Sequence, residues 1–135
     1  MATAWHESKL KPVRERRAGS SQTWLRQLQD RYWPSGYYGR GFVQLTWESN
    51  YQKMSNFLGI DLVGSPDLAL EPRYAADILV YGMMNGEFTS RALGRYINLV
   101  QTDYYNARRV VNGTDRADLI RDYAVLLQAQ IRKAV

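Results

Sequence analysis

The sequence predicts a mainly helical fold with one small β element, and three observations lead to this expectation. Apolar residues recur at helical spacing in several stretches, most clearly in residues 46–58. Prolines and glycines stand between these stretches, where helices begin and end. Residues 37–44 differ, because Gly39 and Gly41 permit backbone conformations closed to other residues and the short apolar run Phe42-Val43 follows them, which predicts a strand or hairpin.

Start and stop residues set the bounds of the predicted elements. Pro12 must end the first helix, because the residue before a proline is pushed out of the helical region. Thr46 is a good N-cap for the next long helix, Gly59 is its stop, and Pro72 suits the first turn of another. In chain order we expect a helix at 2–10, a basic connection at 11–19, a short amphipathic helix at 22–31, a turn at 32–36, the β element at 37–44, a helix at 46–58, a helical turn starting at 65–67, and helices at 72–84, 90–96, 102–111 and 115–133.

Apolar stripes on these helices predict which side chains pack in the core. The expected core positions at 46–58 recur three or four residues apart, and a second apolar face is expected at 22–31. The two stripes are Trp47, Tyr51, Met54 and Leu58, and Trp24, Leu25 and Leu28.

Length and composition favour one globular domain spanning residues 1–135. Its 45% hydrophobic and 23% charged residues are ordinary for such a domain, and it has no cysteine. The net charge of +5 favours polyanionic partners, but no nucleic-acid-binding motif accompanies it. We find no apolar run long enough for a membrane span and no signal peptide, which predicts synthesis in the cytoplasm. With His6 as the single histidine, we expect neither a metal nor a cofactor.

Residues 37–51 place two glycines, an arginine, two amide side chains, aliphatic hydroxyl groups and five aromatic side chains at one junction. A pyranose ring offers apolar C–H faces to aromatic rings and hydroxyls to polar side chains. The junction therefore suits a sugar, although a tight turn with core aromatics explains the same residues.

Two glutamates have neighbours that favour opposite protonation states. Glu7 follows Trp5 on the first helix, where partial burial would favour the protonated form. Glu15 lies among Arg14, Arg16 and Arg17, which would favour the carboxylate. A general acid must hold a proton and a general base must be ionised, so this pair suits acid–base catalysis. The alternative is that Glu7 is an ordinary helix glutamate and Glu15 belongs to a solvated charged run.

Resemblance to a known family favours the interpretation of these residues as a sugar-binding junction with an acid–base pair. Tyr38-Gly39-Arg40-Gly41, followed by Gln44-Leu45-Thr46 and Asn50-Tyr51, resembles the central motif of the family-19 glycoside hydrolases. These are chitinases and, in a compact branch, endolysins that cut peptidoglycan. Further segments resemble the endolysin branch in the same order: residues 2–7, 12–15, 61–63, 66–69 and 111–113.

The resemblance implies a lysozyme-like fold in which the β element forms one wall of a substrate cleft. It implies Glu7 as general acid and Glu15 as general base of an inverting reaction, with their carboxyl groups roughly 6.5–9.5 Å apart. Thr46 matches the residue that holds the attacking water, and Arg40 matches a structural or carboxylate-orienting position. The substrate-binding positions implied are Tyr38, Arg40, Gln44, Asn50 and Asn112.

The function implied is hydrolysis of β-1,4 bonds in bacterial peptidoglycan, after release of the protein from a phage- or prophage-bearing cell. We expect no obligate protein partner. Chitinase activity and a catalytically inactive glycan-binding remnant are the alternatives, since relatives carry helices before residue 2 that this chain is expected to lack. A weaker alternative is membrane permeabilisation by the helix at 115–133, whose apolar face fits core packing better.

Overall fold

A computed structural model describes residues 1–134 and confirms the mainly helical fold with a small β element. Its contacts divide the chain into two compact units. The central unit is Lys11–Ile78, and the terminal unit combines Met1–Leu10 with residues 79–134. The assignment of the chain to a single catalytic domain stays a prediction.

The central unit contains an antiparallel pair of two-residue strands and mostly short helices. Strand β1 (Val13–Arg14) pairs with strand β2 (Arg40–Gly41), so that Val13 lies opposite Gly41 and Arg14 opposite Arg40. Tyr51, Met54 and Leu62 are fully buried in its core. The elements in order are β1 (Val13–Arg14), α2 (Thr23–Gln29), a 3₁₀ turn (Trp33–Ser35), β2 (Arg40–Gly41), α3 (Glu48–Leu58), a 3₁₀ turn (Pro66–Leu70) and the start of α4 (Pro72–Asn85).

The β element is shorter than the predicted 37–44, and its partner strand lies in the predicted connection at 11–19. Leu45 and Arg40 exchange backbone hydrogen bonds of 2.8 and 3.2 Å, which closes a tight loop directly after β2. Gly41 and Gln44 have positive φ angles of 88° and 56° within this loop. The loop therefore ends the strand before Phe42.

Helix α3 begins two residues later than predicted. Trp47, with φ 75° and ψ 134°, is the N-cap residue, whereas the Thr46 hydroxyl donates to the Gln44 carbonyl at 2.8 Å. The N-cap prediction for Thr46 is thus wrong, and Trp47 lies outside the buried stripe. Tyr51 and Met54 are buried as predicted, and Gly59 ends the helix with φ 66°.

Helix α2 presents a different face to the core from the one predicted. Trp24 is 74% exposed and Leu28 39% exposed, while Gln29 is 1% exposed. The buried side chain of this helix is thus a polar one, and the predicted apolar face is largely solvent-accessible.

The terminal unit is built from α1 (Ala2–Ser8), the end of α4, α5 (Tyr104–Ala107) and α6 (Ala117–Ala134). Helix α1 is shorter than predicted because Lys9 and Leu10 adopt left-handed φ angles of 54° and 58°. The predicted helix 90–96 is only a 3₁₀ turn at Leu93–Arg95. The predicted helix 102–111 is α5 followed by a 3₁₀ turn at Arg108–Val110.

The apolar face of α6 is only partly buried. Ile120 is 3% exposed, whereas Leu126 and Ile131 are 61% and 50% exposed. Within the terminal unit, Ile120, Leu127 and Ile131 line a cavity of about 490 Å³. Among residues 1–134, no helix combines the length and the apolar character needed to cross a bilayer.

Gly41 tests how tightly β2 packs. A Cβ at this position would lie 2.9 Å from the Ala69 carbonyl oxygen, whereas a Cβ at Gly36, which also has positive φ, would meet no atom within 4 Å. We expect Gly36→Ala to cost about 1 kcal/mol from backbone conformation alone, and Gly41→Ala about 2–3 kcal/mol. Urea denaturation followed by circular dichroism measures both. Equal losses would contradict the packing described for Gly41.

Candidate active site

Glu15, the residue after β1, is held by three hydrogen-bond donors in the central unit. Its Oε1 accepts from Gln29 Nε2 at 2.9 Å and from the Tyr32 hydroxyl at 2.7 Å. Its Oε2 accepts from the Gly39 backbone N–H at 2.9 Å. All three partners donate, so both side-chain oxygens of Glu15 act as acceptors in this site.

Gly39 brings the backbone of the β element against this carboxylate. The Glu15 N–H donates to the Gly39 carbonyl at 2.8 Å, so the two residues are joined by a backbone bond and a side-chain bond. A Cβ at Gly39 would lie 2.8 Å from Gln44 Oε1 and 3.2 Å from Glu15 Oε2. Glycine is therefore required here by close approach.

The arginines beside Glu15 in the sequence pair with other carboxylates. Arg14 bonds to Asp67, and Arg17 bonds to Asp30. Arg14 and Arg17 therefore pair elsewhere, and the direct hydrogen-bond partners of Glu15 are neutral donors.

Tyr32 and Gln29 are the side-chain partners that the sequence did not reveal. Burial first, and then the hydrogen bond to Glu15, raise the pKa of the Tyr32 phenol well above its usual value, so it remains a donor. Gln29 Nε2 also donates to the Arg16 carbonyl at 2.8 Å, and its Oε1 accepts from the Ala18 N–H at 2.7 Å. Gln29 thereby fixes the chain on the C-terminal side of Glu15.

Arg40 is a buried side chain that stabilises the β element through hydrogen bonds. It is 5% exposed, and its Nη1 donates to the carbonyls of Gly36 and Tyr38 and to the Tyr51 hydroxyl. Its Nε donates to Asp67 at 2.8 Å. Although burial alone would lower it, hydrogen bonds with Tyr51 and Asp67 raise the pKa of Arg40 above its usual value. These contacts favour the structural role over direct substrate binding.

Tyr38 is covered on its ring faces. Trp33 stacks on it with centroids 4.3 Å apart and an interplanar angle of 15°, and the Arg40 guanidinium lies 4.0 Å from the ring centroid. Two groups this close cannot share one face of a ring. A ligand would therefore meet the edge and hydroxyl of Tyr38.

Gln44, Thr46 and Asn50 follow the β element closely. Gln44 Nε2 donates to the carbonyls of Val13 at 2.9 Å and Gly41 at 3.2 Å, linking the two strands. Asn50 Nδ2 donates to the Thr46 carbonyl at 2.8 Å, so it stabilises the first turn of α3. Each of these side chains keeps polar capacity that its protein contacts do not use.

Glu7 and Asn112 belong to the terminal unit. Glu7 Oε1 accepts from Arg108 Nη2 at 2.7 Å, with the Glu7 side chain 30% exposed and that of Arg108 1% exposed. The sequence did not reveal this partner, which lies 101 residues away. Asn112 accepts from the Gly113 N–H at 2.8 Å in the turn before α6.

The central unit therefore contains six of the eight predicted site residues, and Glu15 is one of them. Among residues 1–134, no cluster of three or more His, Asp or Glu side chains has an arrangement that would hold a metal ion. The predicted site residues in the central unit are Glu15, Tyr38, Arg40, Gln44, Thr46 and Asn50; those in the terminal unit are Glu7 and Asn112.

Gln29→Leu tests the support of Glu15. The change removes partners from the Ala18 N–H, the Arg16 carbonyl and the carboxylate, so we expect unfolding to become easier by about 2–4 kcal/mol. Gln52→Leu, on the exposed face of α3, is the matched control and should change stability by less than about 0.5 kcal/mol. Denaturant titration gives both values, and similar losses would refute a special role for Gln29.

Tyr51 gives a pH-dependent test of the Arg40 cluster. Burial raises the pKa of its phenol from 10.0 to about 12, so its contribution to stability is complete below pH 10 and is lost as pH rises towards 12. Tyr51→Phe lowers stability at pH 7 and removes this loss. The wild type should therefore lose about 2–3 kcal/mol more than the variant between pH 10 and 12. Parallel pH dependence in the two proteins would show that the phenol does not titrate as described.

A family model of known proteins matches a segment that covers the whole central unit. The family model described as "Chitinase class I" matches residues 11–85, just over half of the chain. This segment contains Glu15 and the β element; Glu7 and Asn112 lie outside it.

Curated relatives match over shorter stretches. Chitinase 8 of Oryza sativa subsp. japonica is 69% identical over 32 residues, which is 24% of this chain and 12% of the relative. Acidic 27 kDa endochitinase of Solanum lycopersicum is 56% identical over 34 residues, 25% of this chain and 14% of the relative. Inactive chitinase-like protein 1 of Hevea brasiliensis is 49% identical over 37 residues, 27% of this chain and 12% of the relative. The matches span about an eighth of the length of these relatives. Because the family model matches more than half of the chain, the chain belongs to the class I chitinase family, family 19 of the glycoside hydrolases.

Proposed function

We propose that the protein is an inverting glycoside hydrolase that cleaves β-1,4 bonds of the peptidoglycan glycan strand, with Glu15 as general base and Glu7 as general acid. The observation that carries the proposal is the Glu15 carboxylate, which three neutral donors hold at the family's central motif. Family membership supplies the reaction class.

The base must be ionised and must still have room to bind water. A carboxylate has about four lone-pair sites, and the protein uses three of those on Glu15. The remaining site would accept an O–H of the attacking water, while the three donors fix the direction of that bond. Thr46 donates its hydroxyl proton to the Gln44 carbonyl, so its own lone pairs are available to orient the same water.

The acid must carry a proton towards the leaving oxygen. Arg108 occupies Oε1 of Glu7, which leaves Oε2 to hold that proton. Asn50, Gln44 and the Tyr38 hydroxyl would bind the sugar through their remaining polar capacity, with Asn112 as a further contact.

Peptidoglycan is the substrate that the charge favours. A net charge of +5 attracts the polyanionic bacterial envelope and makes binding weaker as salt increases. The protein would then act on the wall after its release from the cell that makes it.

Chitin is the second candidate, because the relatives from rice and tomato carry chitinase names. Both polymers contain β-1,4-linked N-acetylhexosamine, so the same acid–base pair would serve either. A glycan-binding protein without turnover is the remaining alternative, as one relative is named an inactive chitinase-like protein.

Release of fragments from purified peptidoglycan, with chitin oligomers in parallel, tests the proposal. Glu15→Gln and Glu7→Gln keep the shape of each side chain and remove its acid–base chemistry, so we expect each to reduce turnover at least about 100-fold. Glu71→Gln, at an exposed glutamate of the central unit, is the matched control and should retain activity.

The products and the binding of the variants separate the alternatives. An inverting reaction gives new reducing ends in the α configuration, which NMR detects before they equilibrate. Fragments from chitin alone would replace the peptidoglycan proposal by the chitinase one. Equal binding by wild type and both variants, without fragments from either polymer, would show a binding protein instead of an enzyme.

A further inference from the structure

Trp47 is a large apolar side chain that the core does not use. Its position in the apolar stripe of the following helix predicts burial, yet it is 45% exposed, while Tyr51 and Met54 are 0% and 1% exposed. It lies before the first turn of α3 as the N-cap residue, so the periodicity of the helix does not apply to it.

The backbone of Trp47 has a conformation that favours glycine. Its φ of 75° and ψ of 134° lie outside the regions that side chains with a Cβ readily adopt. Hydrogen bonds fix this conformation, because its N–H donates to the Tyr37 carbonyl at 2.8 Å and its carbonyl accepts from Asn50 and Tyr51. Since glycine would satisfy the same bonds with less strain, these backbone bonds give no reason for an indole here.

The indole lies next to a partner of Glu15. Its ring centroid is 5.3 Å from that of Tyr32, with an interplanar angle of 67°, and the Tyr32 hydroxyl donates to Glu15 at 2.7 Å. A T-shaped contact covers at most one face of the indole, and the 45% exposure of Trp47 leaves ring surface that a ligand can reach.

The other tryptophan near the β element is used differently. Trp33 is stacked on Tyr38 and also lies under the Arg17 guanidinium, 5.2 Å from the ring centroid. Trp24 is exposed on α2 and has no ring partner among the described contacts of residues 1–134. Trp47 therefore combines exposure with a direct contact to a residue that holds Glu15.

We propose that Trp47 is the stacking platform for the sugar ring bound beside Glu15. The C–H face of an N-acetylhexosamine would lie on the exposed surface of the indole, and Tyr32 would set the distance between this platform and the carboxylate. The inference rests on the proposed function only for the identity of the sugar.

Two substitutions at Trp47 test the platform in a Glu7→Gln background, which keeps an acceptor oxygen for Arg108 and is expected to bind ligand without cleaving it. Calorimetry would measure the dissociation constants of an N-acetylglucosamine oligomer and of a peptidoglycan glycan fragment. Trp47→Gly removes the ring and relieves backbone strain, so binding should weaken about tenfold, while the melting temperature should fall only slightly because strain relief offsets part of the lost contact with Tyr32. Trp47→Phe keeps a smaller ring and should weaken binding less. Trp24→Ala is the matched control and should leave the dissociation constants unchanged.

Each outcome decides the inference separately from the proposed function. Unchanged affinity in Trp47→Gly, or loss of stability typical of a buried tryptophan, would overturn the platform even if the wild type cleaves glycan. Weakened binding in a protein that lacks turnover would support the platform and refute the hydrolase. Absence of binding to both probes in the Glu7→Gln protein would overturn the platform.

Discussion

The contact between Glu15 and Gly39 is the constraint on which the rest of the central unit depends. It joins the segment after β1 to the β element through one backbone bond and one side-chain bond. Both bonds need the chain to approach without a side chain at position 39. The same contact that closes the two-residue sheet therefore also positions the carboxylate proposed as the base.

A second layer of polar groups keeps this contact in register. Arg40 donates hydrogen bonds to carbonyls of the preceding turn. Asp67 accepts from Arg14 of β1 and from Arg40 of β2. Gln44 adds a bond across the same two strands. A sheet with only two residue pairs has little strength of its own, so side-chain bonds supply what the ladder lacks. Rigid support of this kind is what a general base needs to aim at one water molecule.

The sequence predicts the long helices well and the site contacts poorly. Helix ends depend on neighbouring residues, whereas the site contacts join residues that are far apart in the chain. Pro72 and Gly59 mark helix ends through local backbone preferences, so α4 begins and α3 ends where expected. The strands are two residues long and have no periodicity to detect. Gln29 is buried because its amide bonds to three partners. The helical pattern of the sequence cannot show those partners, since it predicts that polar residues face solvent. Arg108 bonds to Glu7 across 101 residues, beyond any local pattern.

The most direct measurement of the central claim is chemical rescue of Glu15→Ala by azide, with an N-acetylglucosamine oligomer or peptidoglycan fragments as substrate. If Glu15 activates water, the variant loses turnover and azide, a nucleophile that needs no base, restores it. The product is then a glycosyl azide in the α configuration, with the azide in place of the water oxygen. Retained hydrolysis by Glu15→Ala, or a glycosyl azide in the β configuration, would contradict the assignment of Glu15 as the base of an inverting reaction.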